Sequence, residues 1–330
     1  MLTAYRTGER GLEEAAAGTL AAVPADIAWV DLSLPTPDED RVAEKFLSVT
    51  IPSREETEEI EFSSRFYDED GAVFMTASLL TGVDRGKAQL TPFTVIVAEN
   101  RIATIRYDDL RAMRQFVGRA TKPGSGCVST PAVFIGLIEA IIDRTADVLE
   151  RISKDVDGIN RDIFERQQKT LDRQNVQSGR RLEALISAIG VQGDLAAKAR
   201  ESLSSLERLV QYAGVALPPT YTKSGNRARM KLAARDIRSL EDHVSFLSNK
   251  ITFLLDATLG LISVEQNEVI RILTVAATVF FPPTLLGTVW GMNFAGMPEL
   301  SWAFGYPFAI LLMAASAVLP YLYFRRRGWL

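Results

Sequence analysis

The chain has 330 residues, 47% of them hydrophobic, and a formal net charge of −4. This balance indicates no general attraction to nucleic acid, and the single cysteine, Cys127, excludes an internal disulfide. One histidine, His243, is too few for a zinc or transition-metal site built from His and Cys, and its place beside a coiled-coil position predicts a structural role. The N-terminal residues lack the apolar segment of a signal peptide, so we expect the large N-terminal part to stay inside the cell.

Residues 1–125 alternate short apolar or β-branched runs with helical stretches, which predicts a cytoplasmic α/β domain. The predicted strands are Ile27–Leu32, Glu59–Tyr67, Ala72–Leu80, Phe93–Ala98 and Arg101–Arg106, and the predicted helices are Asp38–Val49 and Tyr107–Val117. The domain has no Gly-rich phosphate loop, nucleophile elbow or metal-hydrolase spacing. We therefore do not expect an enzyme.

The same domain is strongly acidic from Asp31 to Asp70, where thirteen Asp and Glu residues stand against four basic ones. Such a run is compatible with an ordinary solvated face. It is also compatible with a surface that attracts divalent cations, and the residues alone leave this choice open.

A helical region follows the breaker cluster Lys122–Gly126. Residues 126–225 are rich in Leu, Ala, Arg, Glu and Gln and predict a helical hairpin or bundle, in which Phe134–Ile142 is too short to span a membrane and should be buried. Residues 226–271 form the predicted stalk, because apolar side chains recur at alternating spacings of three and four from Met230 to Leu261. Nothing interrupts this pattern, so we predict one continuous helix from about Asn226 to Trp290.

Two uncharged segments near the C-terminus predict membrane spans. Ile272–Trp290 holds nineteen residues without a charge, enough at about 1.5 Å per residue to cross a hydrocarbon core of roughly 30 Å. The predicted segments are transmembrane helix 272–290, a periplasmic loop 291–303, transmembrane helix 304–324 and a basic tail 325–330. The tail carries Arg325, Arg326 and Arg327, which favour a cytoplasmic C-terminus and, with two spans, a cytoplasmic N-terminus. The predicted fold class is therefore an α+β membrane protein whose stalk continues into the first of two C-terminal spans.

Polar residues interrupt the first span and the end of the stalk. They are Asn267, Thr274, Thr278, Thr284 and Thr288. The threonines could hydrogen-bond back to their own helix, or in a ring of several chains they could supply repeated oxygen ligands. The apolar residues between them could line the same path, and they are Ile270, Leu273, Ala277 and Phe281.

The motif Gly291-Met292-Asn293, followed by Met297-Pro298-Glu299-Leu300, resembles the CorA family of magnesium transporters. The Pro282-Pro283 pair and the segment Tyr321–Phe324 before the basic tail are similar to that family as well. The matching motifs cover Asn267–Leu330, and the upstream architecture fits in order.

This resemblance implies a homopentameric funnel whose first membrane helices line one axial pore. It implies a selectivity filter at Gly291, Met292 and Asn293, with the Asn293 ring at the periplasmic mouth. Polar pore-lining positions are expected at Asn267, Thr284 and Thr288, and a hydrophobic gate is expected at Ile270, Leu273, Ala277 and Phe281. The family often has methionine where Ile270 and Phe281 stand. A neutral amide ring suits Mg²⁺, which dehydrates reluctantly and can be bound through its water shell.

The expected function is passive Mg²⁺ influx through the bacterial inner membrane, with Co²⁺ and Ni²⁺ tolerated, no cofactor, and Mg²⁺ as substrate and regulatory ligand. Glu299, the only charge of the short loop, could concentrate cations at the entrance or be an ordinary solvated residue. The family's regulation by intracellular Mg²⁺ makes stalk carboxylates candidates for the sensor, namely Asp236, Asp242 and Asp256. Ion pairs along a charged helix explain these three residues equally well.

Two alternatives remain at the level of sequence. A zinc transporter of the same superfamily resembles this architecture but usually departs at Met297–Leu300. A membrane-tethered coiled-coil scaffold without transport explains the stalk and the two spans. It does not explain polar residues placed along the first span.

Overall fold

The computed structural model describes residues 1–9, 11–15, 26–164, 178–221, 223–292, 297 and 302–329. The chain divides into two compact units, one of Met1–Gln174 with Ala184–Leu254 and one of Asn175–Glu183 with Leu255–Leu330. The finer division into seven segments stays a prediction.

The N-terminal unit contains one seven-stranded sheet in the order β2-β1-β3-β7-β6-β5-β4. Neighbouring strands are antiparallel except β3 and β7, which are parallel. The strands are β1 (Leu2–Gly8), β2 (Gly11–Glu14), β3 (Ile27–Ser33), β4 (Phe66–Glu69), β5 (Ala72–Thr81), β6 (Gln89–Ala98) and β7 (Arg101–Arg106).

Three of the described helices lie in sequence between β3 and β4, and the others follow β7. The described helices are α1 (Pro37–Leu47), α2 (Arg54–Glu58), α3 (Phe62–Arg65), α4 (Arg111–Ala120), α5 (Thr130–Phe164), α6 (Ser178–Ala216), α7 (Ser224–Trp290) and α8 (Gly305–Arg326). A 3₁₀ turn covers Val83–Arg85. The α/β character predicted for the N-terminal part is therefore confirmed.

Four of the five predicted strands are confirmed, whereas the strand predicted at Glu59–Tyr67 is mostly wrong. Residues Phe62–Arg65 form the short helix α3, and β4 begins only at Phe66. The side chain of Arg65 explains the difference, because it donates to the carbonyl oxygen of Glu59 and to Ser78 Oγ at 2.9 Å. These bonds hold the segment before β4 in a turn. The strands β1 and β2 were not predicted.

Helix α1 shows how local caps set the boundaries of a predicted helix. Thr36 and Glu39 form a capping box at its start, and Ser48 ends it in the left-handed conformation with φ of 62°. The prediction ran two residues too far because Val49 lies beyond that turn. The predicted helix at Tyr107–Val117 begins later, at Arg111, and continues to Ala120.

Helix α6 covers a part of β5 that β4 does not reach. Strand β4 pairs with β5 only from Ala72 to Met75. Further along, the N–H of Ser78 donates to Ser205 Oγ at 2.8 Å, and the N–H of Leu80 donates to Ser202 Oγ at 3.2 Å. Both serines are buried. Two serines three residues apart on one helix face thus satisfy a strand edge that would otherwise offer open donors.

The helical part of the N-terminal unit buries the segments that the sequence marked as apolar. The patch Phe134–Ile142 lies inside α5 and is buried except at Glu139, which confirms the predicted buried face. Glu139 instead pairs with Arg229 of α7 at 2.6 Å. The stalk pattern is buried within its own chain, at positions that include Ala233, Ile237, Val244, Leu247, Ile251 and Leu254.

Helix α7 is one continuous helix of 67 residues, about 100 Å long at 1.5 Å per residue. This confirms that the stalk continues into the first apolar segment. The C-terminal part of α7 and the whole of α8 are long and apolar enough to cross a membrane. Their side chains are largely exposed in the isolated chain, with Val275 the buried exception among the described residues of the two apolar segments. Such exposure suits surfaces that face lipid or further protein chains.

Candidate ion pathway

The predicted pore residues share one face of α7. Asn267, Ile270, Thr274, Ala277, Phe281, Thr284 and Thr288 follow each other at alternating spacings of three and four on an unbroken helix. At 100° per residue they fall, together with Leu273, within a sector of about 120°. Thr278 lies roughly 80° from the middle of that sector, outside its edge. We call this face the pathway stripe.

The threonine hydroxyls of the stripe donate back to their own helix. Thr274 Oγ1 donates to the Ile270 carbonyl at 2.7 Å, Thr284 Oγ1 to the Phe280 carbonyl at 2.7 Å, and Thr288 Oγ1 to the Leu285 carbonyl at 3.1 Å. The first of the two interpretations from sequence is therefore right, and it does not exclude the second. A hydroxyl that donates its hydrogen to a backbone carbonyl can act toward other groups only as a hydrogen-bond acceptor. The waters around a cation point their hydrogens outward and therefore require acceptors.

Large apolar side chains separate these polar positions. Leu273 and Phe281 are each 69% exposed in the isolated chain, and Ile270 is exposed too. Ile272 and Phe280 on other faces of the helix are exposed as well, so the spacing of the apolar residues between the threonines, and not their exposure, marks this face. The hydrophobic gate expected at these positions stays a prediction.

The helix ends where the sequence places the filter. Gly291 N–H donates to the Gly287 carbonyl at 3.0 Å and Met292 N–H to the Val289 carbonyl at 3.3 Å, so both residues continue directly from the last turn of α7. Asn293 and Glu299 lie outside the described residues, so their predicted roles stay predictions. Gly287 faces α8, because a Cβ placed on it would lie 3.7 Å from Met313 Sδ.

The three candidate sensor carboxylates lie on α7 and are exposed. Asp256 precedes Asn267 by eleven residues, close to three full turns, and so lies on the same face as the pathway stripe. Within the described ranges, no group of three Asp, Glu, His or Cys side chains could hold a metal ion. One chain by itself therefore does not assemble a sensor from Asp236, Asp242 and Asp256.

Part of the acidic run from Asp31 to Asp70 is used within the fold. Glu39 and Glu56 close capping boxes at the starts of α1 and α2. Glu39 also pairs with the N-terminal amine at 2.9 Å, and Asp31 pairs with Arg106 at 2.9 Å. Caps and ion pairs thus account for part of the charge, and the choice between a solvated face and a cation-attracting surface stays open.

A carboxylate pair between α6 and α7 was missed by the sequence analysis. Burial, and then the nearby charge of Glu207, raise the pKa of Glu241 above its usual range. Arg238 compensates in part, since its Nε donates to Glu207 at 2.9 Å. The available signal was the position of Glu241 directly after Leu240, a residue of the apolar stalk pattern.

The two apolar helices at the C-terminus, with a mixed polar and apolar face on the first, are the arrangement expected of an ion transporter in a membrane. The family model described as CorA-like Mg²⁺ transporter protein matches residues 24–326. The chain belongs to this family. Members of the family are ion transporters, which confirms the expectation that the protein is not an enzyme and argues against a scaffold without transport.

Relatives in sequence and in structure agree with this membership. The magnesium transport protein CorA of Pectobacterium atrosepticum is 34% identical over 304 residues, and that of Mannheimia succiniciproducens is 31% identical over 305 residues; each match covers 92% of both chains. The CorA magnesium transporter of Methanocaldococcus jannaschii has the same fold, with a TM-score of 0.76 at 16% identity over 100% of this chain and 99% of the other. The ZntB cytoplasmic domain of Vibrio parahaemolyticus shares the fold, with a TM-score of 0.55 at 10% identity. This match covers 79% of this chain and 97% of that domain.

Proposed function

We propose that this protein carries Mg²⁺ into the cell down the membrane potential, through a pore lined by the pathway stripe. The stripe is the observation that carries the proposal, because it aligns acceptor oxygens and apolar side chains along one face of a continuous helix. The sequence supplies no nucleotide-binding motif to couple transport to hydrolysis. A divalent ion that crosses about 100 mV gains roughly 4.6 kcal/mol, twice the value for a single charge. The potential is therefore sufficient to drive uptake.

The pore requires several copies of the chain, since one stripe forms only one wall. The family resemblance suggests five copies around an axis. The exposed apolar residues Ile270, Leu273 and Phe281 then meet their counterparts at a constriction and bar hydrated ions by dewetting when the pore is closed.

The polar positions select the ion by its water shell. Mg²⁺ keeps several waters when it binds, and those waters donate to the acceptor oxygens of Thr284 and Thr288 and to the amide oxygen of Asn293. Neutral acceptors hold the hydrated ion weakly enough for release, which conduction requires. Co²⁺ and Ni²⁺ form hydrated ions of similar size and are expected to pass as well.

Intracellular Mg²⁺ closes the pore in this proposal by bridging carboxylates of neighbouring subunits. The absence of a complete ligand group within the described residues of one chain supports a shared site. Asp256 is the best placed of the candidates because it lies on the pathway stripe, while Asp236 and Asp242 lie further toward the N-terminal end of α7. A bound ion shifts the equilibrium only if the closed interface binds it better than the open one.

The proposed location is the bacterial inner membrane with both termini in the cytoplasm. Three arginines after the second span, against a single Glu299 in the loop, favour this orientation. Glu299 then lies at the external entrance, where it raises the local cation concentration.

The decisive experiment measures Mg²⁺ uptake into proteoliposomes with an imposed inside-negative potential. We expect uptake that follows the potential, falls when Mg²⁺ is loaded inside, and is inhibited by Co²⁺ and Ni²⁺. Zn²⁺ uptake without Mg²⁺ uptake would instead favour the zinc-transporter alternative. No uptake of either ion would overturn the proposal.

The number of copies is tested by cross-linking the detergent-solubilised protein. The apolar side chains of α7 are exposed in the isolated chain, which favours association of several copies. The family resemblance suggests five copies, so we expect a ladder of products that ends at five. Mass measurement of the uncross-linked complex is the control for accidental cross-links. A ladder and a mass that agree on another number would remove the pentamer.

A further inference from the structure

The C-terminal end of α8 is closed by a specific backbone turn at Gly328, which has φ of 70°. The N–H of Gly328 donates to the Arg325 carbonyl at 3.2 Å, and the N–H of Trp329 donates to the Phe324 carbonyl at 3.0 Å. These are the two hydrogen bonds of a Schellman motif. The rings of Phe324 and Trp329 stack with centroids 5.3 Å apart, which supplies the apolar contact of that motif. Trp329 is therefore held against the helix rather than left as a loose end. We call Tyr323–Trp329 the C-terminal cap.

Three arginines belong to this cap, and no carboxylate of the described residues pairs with them. Arg325 and Arg326 lie in the last turn of α8 and Arg327 is its C-cap residue. Among the described residues none of the three forms a salt bridge, whereas Arg271 of α7 pairs with Glu268 at 3.5 Å. The sequence has no Asp or Glu after Glu299. The guanidinium of Arg327 lies 5.2 Å from the ring centre of Tyr323, which fixes its direction.

The position of the cap along the span brings these cations to the level of lipid headgroups. Helix α8 has 22 residues, about 33 Å at 1.5 Å per residue, which matches a hydrocarbon core of roughly 30 Å. Tyr321, Tyr323 and Trp329 are exposed around its end. Tyrosine and tryptophan prefer the headgroup level because one part of each side chain is apolar and the other is polar.

We propose that the C-terminal cap binds the phosphate of an anionic phospholipid headgroup. Guanidinium groups bind phosphate through two parallel charge-assisted hydrogen bonds, and basic clusters at the cytoplasmic end of a span attract anionic lipids. The proposal relies on the proposed function for its topology, in which this end faces the cytoplasmic leaflet. The cap fixes the backbone that carries the arginines and sets Arg327 against the Tyr323 ring, so the site depends on the turn as well as on the charge.

Gly328 offers a variant that separates placement from charge. A Cβ at this position meets no atom within 4 Å, so alanine has room, but the backbone conformation at φ of 70° is unfavourable for it. Gly328→Ala therefore loosens the turn and keeps all three arginines. A glutamine variant, in which Arg325, Arg326 and Arg327 are all replaced by glutamine, removes the charge. A lysine variant with the same three positions changed keeps the charge without the bidentate geometry.

The experiment uses the full chain purified in detergent and mixed with equal amounts of phosphatidylglycerol and phosphatidylcholine, with bound lipids counted by native mass spectrometry. We expect retention of phosphatidylglycerol by the native protein. Each arginine replaced by glutamine is expected to weaken phosphatidylglycerol binding about fivefold. This ratio corresponds to roughly 1 kcal/mol per basic residue near an anionic surface. Gly328→Ala and the lysine variant should fall between the native protein and the glutamine variant.

Equal retention of both lipids by the native protein would overturn the proposal, as would unchanged phosphatidylglycerol retention by the glutamine variant. Displacement of the lipid by inorganic phosphate at similar concentration would also overturn it and assign the cap to a soluble anion. Thermal unfolding of each variant checks that the protein remains folded. The count of bound lipids does not depend on ion flux, so a failure of Mg²⁺ uptake with intact lipid retention removes only the proposed function.

Discussion

Replacing Asn293 by alanine is expected to abolish most Mg²⁺ influx while leaving the protein folded and assembled. Asn293 follows Met292 in the sequence, and Met292 lies directly after the last turn of α7. The Asn293 amide is the proposed acceptor for the water shell of the entering ion. Loss of hydrogen bonds to a charged group, at roughly 1.5–3 kcal/mol each, lowers occupancy of the entrance by about tenfold or more. Potential-driven uptake into proteoliposomes measures the loss.

Thr278→Val is the matched control for Asn293→Ala. It also removes a polar side chain from the first span, but Thr278 lies off the pathway stripe and its hydroxyl donates to the Thr274 carbonyl at 2.8 Å. We expect this variant to transport normally. Intact Mg²⁺ flux through Asn293→Ala would remove Asn293 from the filter, and equal losses in both variants would indicate a general packing defect.

The long-range pattern of the C-terminal half could be predicted from sequence because it repeats. The spacing of three and four between Met230 and Leu261 depends only on the geometry of one helix. The length of the uncharged segment of nineteen residues is counted directly from the sequence and is enough to predict a membrane span. The same periodicity places Asn267, Ile270 and Thr284 on one face. What the pattern could not supply was the direction of each hydroxyl, because back-bonding of threonine depends on its side-chain rotamer.

The errors in the N-terminal part come from contacts that are distant in sequence. The alternation of residue types around Glu59–Tyr67 indicates a strand, but Arg65 donates to Ser78 on β5 and keeps α3 helical. Likewise, no local signal marks Ser202 and Ser205 as the groups that satisfy the edge of β5, more than a hundred residues earlier in the chain. Such side-chain to backbone bonds override weak local preferences.

Asp31 was counted with the acidic surface, and the structure shows a buried residue with two polar partners, Arg106 and Thr104. It is 6% exposed and accepts from Arg106 Nη2 at 2.9 Å and from Thr104 Oγ1 at 2.8 Å. Thr104 in turn accepts from Trp29 Nε1 at 3.0 Å. The parallel pairing of β3 with β7 sets Asp31 directly beside Thr104. Composition could not reveal this, because burial depends on which strands become neighbours.

Asp31→Ala is expected to destabilise the N-terminal unit by about 3–5 kcal/mol, the cost of leaving a buried charge without its partner. Arg106, only 13% exposed, is the charge left behind. Thermal unfolding of the detergent-solubilised full chain, followed by near-ultraviolet circular dichroism, measures the change. Trp29 is a suitable reporter because it stacks on Tyr5 at 4.5 Å beside the network.

Two further variants distinguish loss of the ion pair from loss of a side chain. Asp38→Ala removes a carboxylate from an exposed pair with Arg41 and should change stability little. The double variant Asp31→Ala with Arg106→Met removes both charges and should recover part of the loss of stability, since a buried pair replaced by apolar groups is often nearly neutral.

If Asp31→Ala alone were as stable as the native protein, the hydrogen bonds and ion pair around Asp31 would contribute nothing to the stability of the fold. If Asp31→Ala unfolds at a lower temperature and its folded fraction still transports Mg²⁺ at the native rate, the ion pair contributes to stability and not to transport.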